Sequence, residues 1–150
     1  MAAYFRMTSE LLPDAYTLLS DFLRENKYYL DSSSAYGDRG DSALRTALEM
    51  FLVRPELGFV WLAYEGNIPV GVCVISYAIS TSVGAVVAKL DDVSVGTRDQ
   101  GKGIGSELLE ELKTELRIQD VVRIDTSVHL RNDIARRFYI KNGFRALNEE

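Results

Sequence analysis

Several features that mark whole classes of protein are scarce in this sequence of 150 residues. Cys73 is the only cysteine, which rules out an internal disulfide and a cysteine-rich metal site, and its place in the apolar run VGVCVISYA predicts an inert core residue. No run approaches the roughly 18 apolar residues of a membrane span, and the first residues lack the apolar segment of a signal peptide. We therefore expect a cytoplasmic protein that binds neither a membrane nor a metal.

Basic residues are in the minority as well, with 17 lysines and arginines against 22 aspartates and glutamates and a net charge of −5. A surface that binds nucleic acid needs an excess of positive charge, so no nucleic-acid partner is expected. The acidic balance favours small cationic partners instead. The length, the hydrophobic content of 47% and the lack of repeats or linkers predict a single domain over residues 1–150.

Hydrophobic periodicity predicts the element order β-α-α-β-β-β-α-β-α, with room for a short final strand after Gly143. Asp41 or Ser42 is placed to cap the second helix. The later strands are predicted from the segments FVWLAY, VGVCVISYAI, AVVAKLDDVSV and VVRIDTSV. The order indicates an α/β or α+β domain with a mixed sheet, in which residues 90–128 form a parallel crossover.

The segment QGKGIGSELL, which begins at Gln100, places three glycines at alternate positions before a predicted helix. Glycine lets a ligand approach the backbone, and the N–H groups of a helix start attract anions, so a phosphate is the expected ligand. A P-loop starting at Gly96 would need Ser or Thr where Gly103 stands, and a dinucleotide loop would need glycine at Ser106, although Asp125 lies at a plausible distance for a ribose contact. The pattern Q/R-x-x-G-x-G/A of acyl-coenzyme A pyrophosphate loops is matched at every fixed position.

A second cluster, NDIARRFYIKNGF, places Asn132, Ala135 and Tyr139 on one face of a predicted helix. Ile134 and Phe138 are expected to serve the core. Together with LDDVSV and RDQGKGIGSELL, this segment resembles the GNAT superfamily of acetyl-CoA-dependent N-acetyltransferases, in particular the branch of diamine (spermidine/spermine) acetyltransferases and their bacterial relatives. The resemblance covers about residues 86–144 and implies a mostly antiparallel central sheet flanked by helices.

The resemblance implies a role for each matching position. Acetyl-CoA would place its pyrophosphate on the backbone of the loop and its pantetheine arm along the strand before it. Asn132 would contact the pantetheine, Ala135 would let it pass, and Tyr139 would protonate the departing thiolate because a neutral phenol remains a proton donor at pH 7. The loop and strand residues expected to bind the cofactor are Val93, Ser94, Val95, Gln100, Gly101, Lys102, Gly103, Ile104, Gly105 and Ser106.

An amine acceptor must lose a proton before its nitrogen can attack, which calls for a base. Diamine acetyltransferases carry an acidic pair on the equivalent strand, and the pair Asp91-Asp92 resembles it. We expect Asp91 to act as the base and to hold the amine, with Asp92 as electrostatic support. Because successive strand residues face opposite sides, only one of them is expected to point at the thioester. His129 is the alternative proton relay.

The segment 24–40 would line the acceptor pocket, where Tyr28 and Asp31 are expected to bind a cationic amine through cation–π contact and charge. The predicted activity is transfer of an acetyl group to a primary amine of a small molecule, such as a polyamine, a diamine or an amino acid. The alternatives are a protein lysine or N-terminal acetyltransferase and a non-catalytic acyl-CoA-binding module. The short tail after Phe144 leaves a sheet edge open, which favours a homodimer.

Overall fold

The structure is a computed structural model that describes residues 2–25, 40–96 and 99–147. Its strands are β1 (Ala2–Arg6), β2 (Gly58–Glu65), β3 (Ile68–Ser80), β4 (Ala85–Val95) and β5 (Ile124–Thr126). Its helices are α1 (Leu12–Glu25), α2 (Asp41–Val53), α3 (Ile104–Ile118) and α4 (Asp133–Lys141). The predicted element order is confirmed from β1 to α4.

The strands form one five-stranded sheet in the order β1-β2-β3-β4-β5. The first four strands pair antiparallel, whereas β5 pairs parallel with β4. The predicted mixed, mostly antiparallel sheet is therefore confirmed. The chain leaves β4, forms α3 and returns in β5, so the predicted parallel crossover is present as well.

Each face of the sheet is covered by helices because the alternating strand residues are apolar on both sides. One core contains Cys73, Ile75 and Leu90 from the sheet, together with the buried stripe of α3. The other contains Val72 and Val74 and packs against α1 and α2. The predicted stripe of α3 is confirmed, since its residues are all at most 4% exposed: Ile104, Leu108, Leu109, Leu112 and Leu116.

The structure differs from the expectations at several element ends. β5 has three residues where the run VVRIDTSV predicted about eight, because its pairing with β4 ends directly before the bulge of β4, which disrupts the ladder. No strand follows Gly143 within the described residues, which end at residue 147. The N-cap of α2 is Gly40, with no side-chain hydrogen bond, so the predicted cap at Asp41 or Ser42 is wrong.

Candidate active site

The glycine loop between β4 and α3 is shaped by left-handed backbone conformations. Gly101 and Gly103 have φ angles of +83° and +81°, which residues with a side chain rarely adopt. An added Cβ at either position would meet no atom within 4 Å, so conformation rather than crowding requires glycine here. Gly103 is the N-cap of α3 and offers no side-chain hydrogen bond. The first N–H groups of α3 are therefore not capped by a side chain and point out of the helix start.

Gly105 has a different role from the two loop glycines. A Cβ at this position would lie 3.2 Å from the ring of Phe138 and 3.6 Å from Val95 Cγ2. The missing side chain lets α4 pack directly on the first turn of α3 and on the end of β4. The loop, the strand and the helix that carries Tyr139 therefore meet at one place.

The polar side chains of the loop make contacts within it. Gln100 Nε2 donates to the Val95 carbonyl at 3.2 Å, and Lys102 Nζ lies 3.6 Å from Asp99 Oδ1. The Ile104 side chain belongs to the core. Of the predicted cofactor-binding positions, Ile104 can therefore contribute only its backbone, whereas Lys102 remains a solvent-exposed cation at the mouth of the loop.

Both predicted acidic residues, Asp91 and Asp92, lie in a bulge of β4. Ile75 pairs with Leu90 and Cys73 pairs with Val93, so a single residue of β3 opposes both Asp91 and Asp92. Such a bulge adds twist and redirects side chains. The two carboxylates consequently lie in different surroundings although they are adjacent in sequence.

Asp91 lies among polar groups of neighbouring strand positions. Its Oδ2 accepts a hydrogen bond from Ser76 Oγ at 3.4 Å, and its Oδ1 lies 3.5 Å from Lys89 Nζ. About a third of its side chain is exposed, 34%. Asp91 is thus a paired surface carboxylate that an acceptor can reach.

Asp92 is partly buried and lies close to the other predicted catalytic group. Burial raises the pKa of Asp92 from 3.8 to about 6, and the charge of Asp91 adds to the rise. Its charge also acts on the Cys73 thiol and on the Tyr139 phenol. The charge of Asp92, rather than that of Asp91, therefore contributes to the raised pKa of Tyr139.

Helix α4 extends from Asp133 to Lys141, within the segment NDIARRFYIKNGF that predicted it. Asn132 Oδ1 accepts a hydrogen bond from the Ala135 N–H at 3.1 Å, which makes Asn132 the N-cap. Phe138 packs against the core as predicted, but Ile134 is 78% exposed and that expectation is wrong. The reason is geometric, because Asn132, Ala135, Phe138 and Tyr139 form the inward side of this short helix.

Tyr139 is held by aromatic neighbours and is partly buried. Its ring centroid lies 5.3 Å from that of Phe138 and 5.2 Å from that of Phe144, both in edge-to-face arrangements. Burial raises the pKa of Tyr139 to about 12, the Thr126 side chain acts in the opposite direction, and Cys73 and Asp92 add to the rise. The phenol is therefore protonated at neutral pH.

Some predicted residues lie elsewhere, and one nearby residue was not predicted. Tyr28 and Asp31 lie outside the described residues. His129 Nδ1 accepts a hydrogen bond from the Arg131 N–H at 3.1 Å, so this nitrogen is engaged in a turn before α4. Sequence reasoning missed Thr126, whose only signal is a hydroxyl within a predicted strand. Among the described residues, no group of three or more histidine, cysteine, aspartate or glutamate side chains could hold a metal ion.

Comparison with known families identifies the domain. Residues 56–146 match the family described as Acetyltransferase (GNAT) domain. The match covers more than half of the chain, so this protein belongs to the GNAT family and is an N-acetyltransferase. A comparison with curated proteins found no match.

Solved structures with the same fold cover nearly the whole chain. An integron cassette protein from the mobile metagenome of Cole Harbour Salt Marsh is 23% identical with a TM-score of 0.79, over 98% of this chain and 86% of that one. The aminoglycoside N-acetyltransferase AAC(6')-Iy, solved in complex with CoA, is 13% identical with a TM-score of 0.81, over 100% and 91% of the two chains. A ribosomal-protein-alanine N-acetyltransferase from Brucella melitensis is 14% identical with a TM-score of 0.77, over 100% and 96%.

Within the three described ranges, none of the helices is both long and apolar enough to span a membrane.

Proposed function

We propose that this protein transfers the acetyl group of acetyl-CoA to a primary amine of a small molecule, such as a polyamine, a diamine or an amino acid, by direct attack on the thioester. The observation that carries the proposal is the bulge of β4, which gives the adjacent Asp91 and Asp92 different surroundings, so that Asp92 is partly buried and its charge acts on Tyr139. In this proposal Asp92 is the base for the amine and Tyr139 is the acid for the thiolate.

The glycine loop is the binding site of the pyrophosphate in this proposal. The backbone N–H groups from Gly101 to Ser106 bind it, since two left-handed glycines and an uncapped helix start leave these donors accessible. The exposed Lys102 can leave Asp99 for the phosphates. A bulky side chain at Gly103 would occupy the space of the ligand, because nothing else of the protein lies there.

The pantetheine arm follows the open edge of β4. β5 pairs only with residues 88–90 of β4, so the segment Val93–Val95 keeps its β3 partners on one side and has no β5 partner on the other in the described structure. Apart from the Val95 carbonyl, which accepts from Gln100, backbone groups of this edge are available to the amides of the arm. Asn132 and Ala135 flank it from α4, where the small Ala135 side chain leaves room.

The acceptor is deprotonated by Asp92 and held by Asp91 in this scheme. An alkyl ammonium has an ordinary pKa of about 10.4, so a carboxylate with a raised pKa is a better base than an ordinary aspartate. One proton of the ammonium passes to Asp92, directly or through a water molecule, and leaves to solvent. The exposed Asp91 provides negative charge for the incoming cation, and Tyr28 and Asp31 are proposed to complete the pocket.

The leaving group receives its proton from Tyr139. As nitrogen attacks the carbonyl carbon and the C–S bond breaks, the thiolate takes the phenolic proton. The second proton lost by the amine nitrogen then restores the phenol. The products are the acetamide and CoA with its free thiol, and one proton is released in total.

A homodimer forms part of the proposal. Exposed apolar side chains accumulate in the C-terminal part of the chain, with Leu130 at 85%, Ile134 at 78% and Leu147 at 65% exposure. β5 is the last strand of the described sheet on this side, so both a strand edge and apolar surface are available to a second copy. Light scattering that gives the mass of a single chain at micromolar concentration would contradict this part.

The test is acetylation of an acceptor panel with acetyl-CoA, in which free thiol is measured and products are identified by mass spectrometry. The panel comprises spermidine, putrescine, L-lysine, the aminoglycoside sisomicin and a lysine-containing peptide. Acetylation of a small amine with a kcat/KM at least tenfold above that of the peptide supports the proposal. A preference for the peptide would favour a protein acetyltransferase, and tight CoA binding without turnover would favour a binding module.

A further inference from the structure

The turn after α4 is built around the backbone carbonyl of Tyr139. This carbonyl accepts one hydrogen bond from the Asn142 N–H at 3.1 Å and another from the Phe144 N–H at 2.9 Å. The chain therefore folds back on Tyr139, and the Phe144 ring lies edge-to-face with the Tyr139 ring at 5.2 Å between centroids. The conformation of this turn thus decides where an aromatic neighbour of the proposed acid lies.

A lysine of α3 holds this turn. Lys113 Nζ donates to the Asn142 carbonyl at 2.6 Å and lies 3.1 Å from Glu110 Oε1 on its own helix. A hydrogen bond from an ammonium group is stronger than one between neutral groups. Positive charge is also favourable at the C-terminus of a helix, where the last carbonyl groups lack helical partners. Lys113 therefore joins α3 to the end of α4.

Asn142, which Lys113 binds, is itself fixed in the turn. It is 8% exposed, and its Nδ2 donates to the Phe138 carbonyl at 2.8 Å. Gly143 follows with a φ of +92°, and a Cβ added there would lie 3.7 Å from Lys113 Nζ. The left-handed Gly143 lets the chain reverse directly after the carbonyl that the lysine binds.

Helix α4 depends on such contacts for its position. It has nine residues, fewer than the roughly 12–15 that an isolated helix needs to be stable in water. All of these residues lie in the described part of the chain, and each keeps some exposure to solvent. The Asn132 cap fixes the start of the helix, and Phe138 packs where Gly105 has no side chain. The bond from Lys113 fixes the end of the helix, beyond Tyr139.

We infer that Lys113 is a positioning residue for Tyr139, because it holds the turn that keeps the phenol aligned with the departing thiolate. The inference rests on the proposed function. Lys113 takes no part in the proton transfer, which stays between the phenol and the CoA sulfur. A phenol on a loosened helix end reaches hydrogen-bond distance of the sulfur less often, so turnover becomes slower although the acid is still present.

The test compares Lys113→Met, which removes the charge and the donor from an unbranched side chain, with Lys113→Arg, which keeps both. We expect Lys113→Met to lower kcat with the best amine of the panel by about 10-fold, less than the 10²- to 10⁴-fold expected when the phenol itself is removed. The KM for acetyl-CoA should change little, since the glycine loop and the start of α4 are untouched. Lys113→Arg should retain most of the wild-type kcat.

Glu110→Gln is the matched control. It removes the other partner of Lys113, a carboxylate that is 63% exposed, and leaves the bond to the Asn142 carbonyl in place. Its kcat should equal that of the wild type. A loss of kcat in Glu110→Gln as large as that in Lys113→Met, or an equal loss in Lys113→Arg and Lys113→Met, would contradict the inference.

The double variant with Tyr139→Phe distinguishes positioning of the phenol from a general loosening of the domain. If Lys113 acts through the phenol, Lys113→Met should cause no further loss of kcat once the phenolic hydroxyl is gone. A loss that adds in full to that of Tyr139→Phe, or a Lys113→Met variant with wild-type kcat, would overturn the inference. Lys113→Gln replaces the methionine variant in the same cycle if circular dichroism shows that the latter is unfolded.

Hydrogen exchange tests the anchor without an activity assay. The Phe144 N–H, which is bonded to the Tyr139 carbonyl, should exchange faster in Lys113→Met than in the wild type, while the amides of α3 should exchange as before. Unchanged exchange at Phe144 would show that the lysine does not hold the turn and would overturn the inference.

Failure of the proposed function gives a different result. Wild-type protein that acetylates no amine of the panel, or a Tyr139→Phe variant with wild-type kcat, refutes the proposed chemistry and the role of Lys113 with it. An active wild type with a slow Tyr139→Phe variant and an unaffected Lys113→Met variant refutes the role of Lys113 alone.

Discussion

Replacement of Asp92 by asparagine should separate the catalytic value of this carboxylate from its cost to stability. In the wild-type protein, burial first and the charge of Asp91 second raise the pKa of Asp92 from 3.8 to about 6. Asparagine keeps the size of the protonated acid but cannot ionise. We therefore expect Asp92→Asn to be more stable than the wild type at neutral pH and much less active.

The pKa gives the size of the stability effect. A rise from 3.8 to about 6 corresponds to roughly 3 kcal/mol, since one pH unit is worth about 1.4 kcal/mol. Asp92 keeps some contact with solvent, and its neighbours can relax. We therefore expect the variant to gain about 1–3 kcal/mol in free energy of unfolding at neutral pH.

The sign of the pH dependence follows from proton binding. The folded protein holds the Asp92 proton up to about pH 6, whereas the unfolded chain releases it near pH 3.8. Because the folded state binds more protons between these values, the contribution of Asp92 to the free energy of unfolding falls as pH rises through this window. The variant cannot show this decrease in the free energy of unfolding. Its stability gain over the wild type should therefore be near zero at about pH 4 and complete above about pH 6.

Denaturant unfolding at several pH values measures the stability difference, and steady-state kinetics measures the activity of the same samples. The wild-type kcat/KM should rise with pH through about pH 6 as Asp92 ionises. The kcat/KM of the variant should not show this rise with pH. Its kcat should be about 10²- to 10⁴-fold lower, the usual contribution of a general base. Its CoA affinity should be nearly unchanged, since the pyrophosphate loop is untouched.

Asp91→Asn is the matched control, because it removes the same charge from the adjacent residue. The Asp91 side chain is paired with Lys89 and is more exposed. The variant should weaken acceptor binding, seen in the KM for the amine, with a smaller stability gain, since it removes only the part of the rise in the Asp92 pKa that the charge of Asp91 causes. The reasoning is refuted if Asp92→Asn shows no gain at neutral pH and keeps the wild-type kcat/KM profile. A wild-type profile in both variants would direct the search for the base to other groups.

Three further predictions concern the acid, the loop and the fold. Tyr139→Phe should lower kcat by about 10²- to 10⁴-fold with little change in the melting temperature, and an unchanged kcat would mean that another group protonates the thiolate. Gly103→Val should abolish CoA binding in calorimetry, because valine is strained at a φ of +81° and fills the ligand space, while circular dichroism still shows a folded protein. Gly58→Ala should destabilise the protein by more than about 3 kcal/mol or prevent folding, because its Cβ would lie 2.0 Å from the Ile75 carbonyl oxygen; a soluble variant of wild-type stability would contradict this.

Local patterns in the sequence were sufficient to predict most of the fold. Apolar runs rich in β-branched and aromatic residues predicted β2, β3 and β4, and the stripe of α3 was predicted from helical spacing alone. The glycine loop could be recognised because each fixed position has its own physical reason, such as the left-handed conformation of Gly103. The end of α4 was likewise predictable from Gly143, whose φ of +92° suits a helix stop.

Features that depend on pairing between distant strands could not be predicted. The bulge of β4 exists because two residues oppose one residue of β3, so the different surroundings of the two aspartates depend on a strand outside the segment LDDVSV. The sequence suggested Asp91 as the base, whereas we propose Asp92 because burial raises its pKa and its charge acts on Tyr139. Thr126 was missed for the same reason, since its hydrogen bond joins residues that are 36 positions apart.

The open edge of β4 at Val93–Val95 also has a consequence for solubility. A strand edge that has no neighbouring strand in the described part of the chain, here made of β-branched residues on either side of a serine, is a surface to which other extended chains can add. An acyl donor lying along this edge would cover it, so the co-substrate would protect its own enzyme from aggregation. Protein heated with excess CoA should accordingly stay in solution to a higher temperature than protein heated alone, and the difference should grow with the logarithm of the CoA concentration.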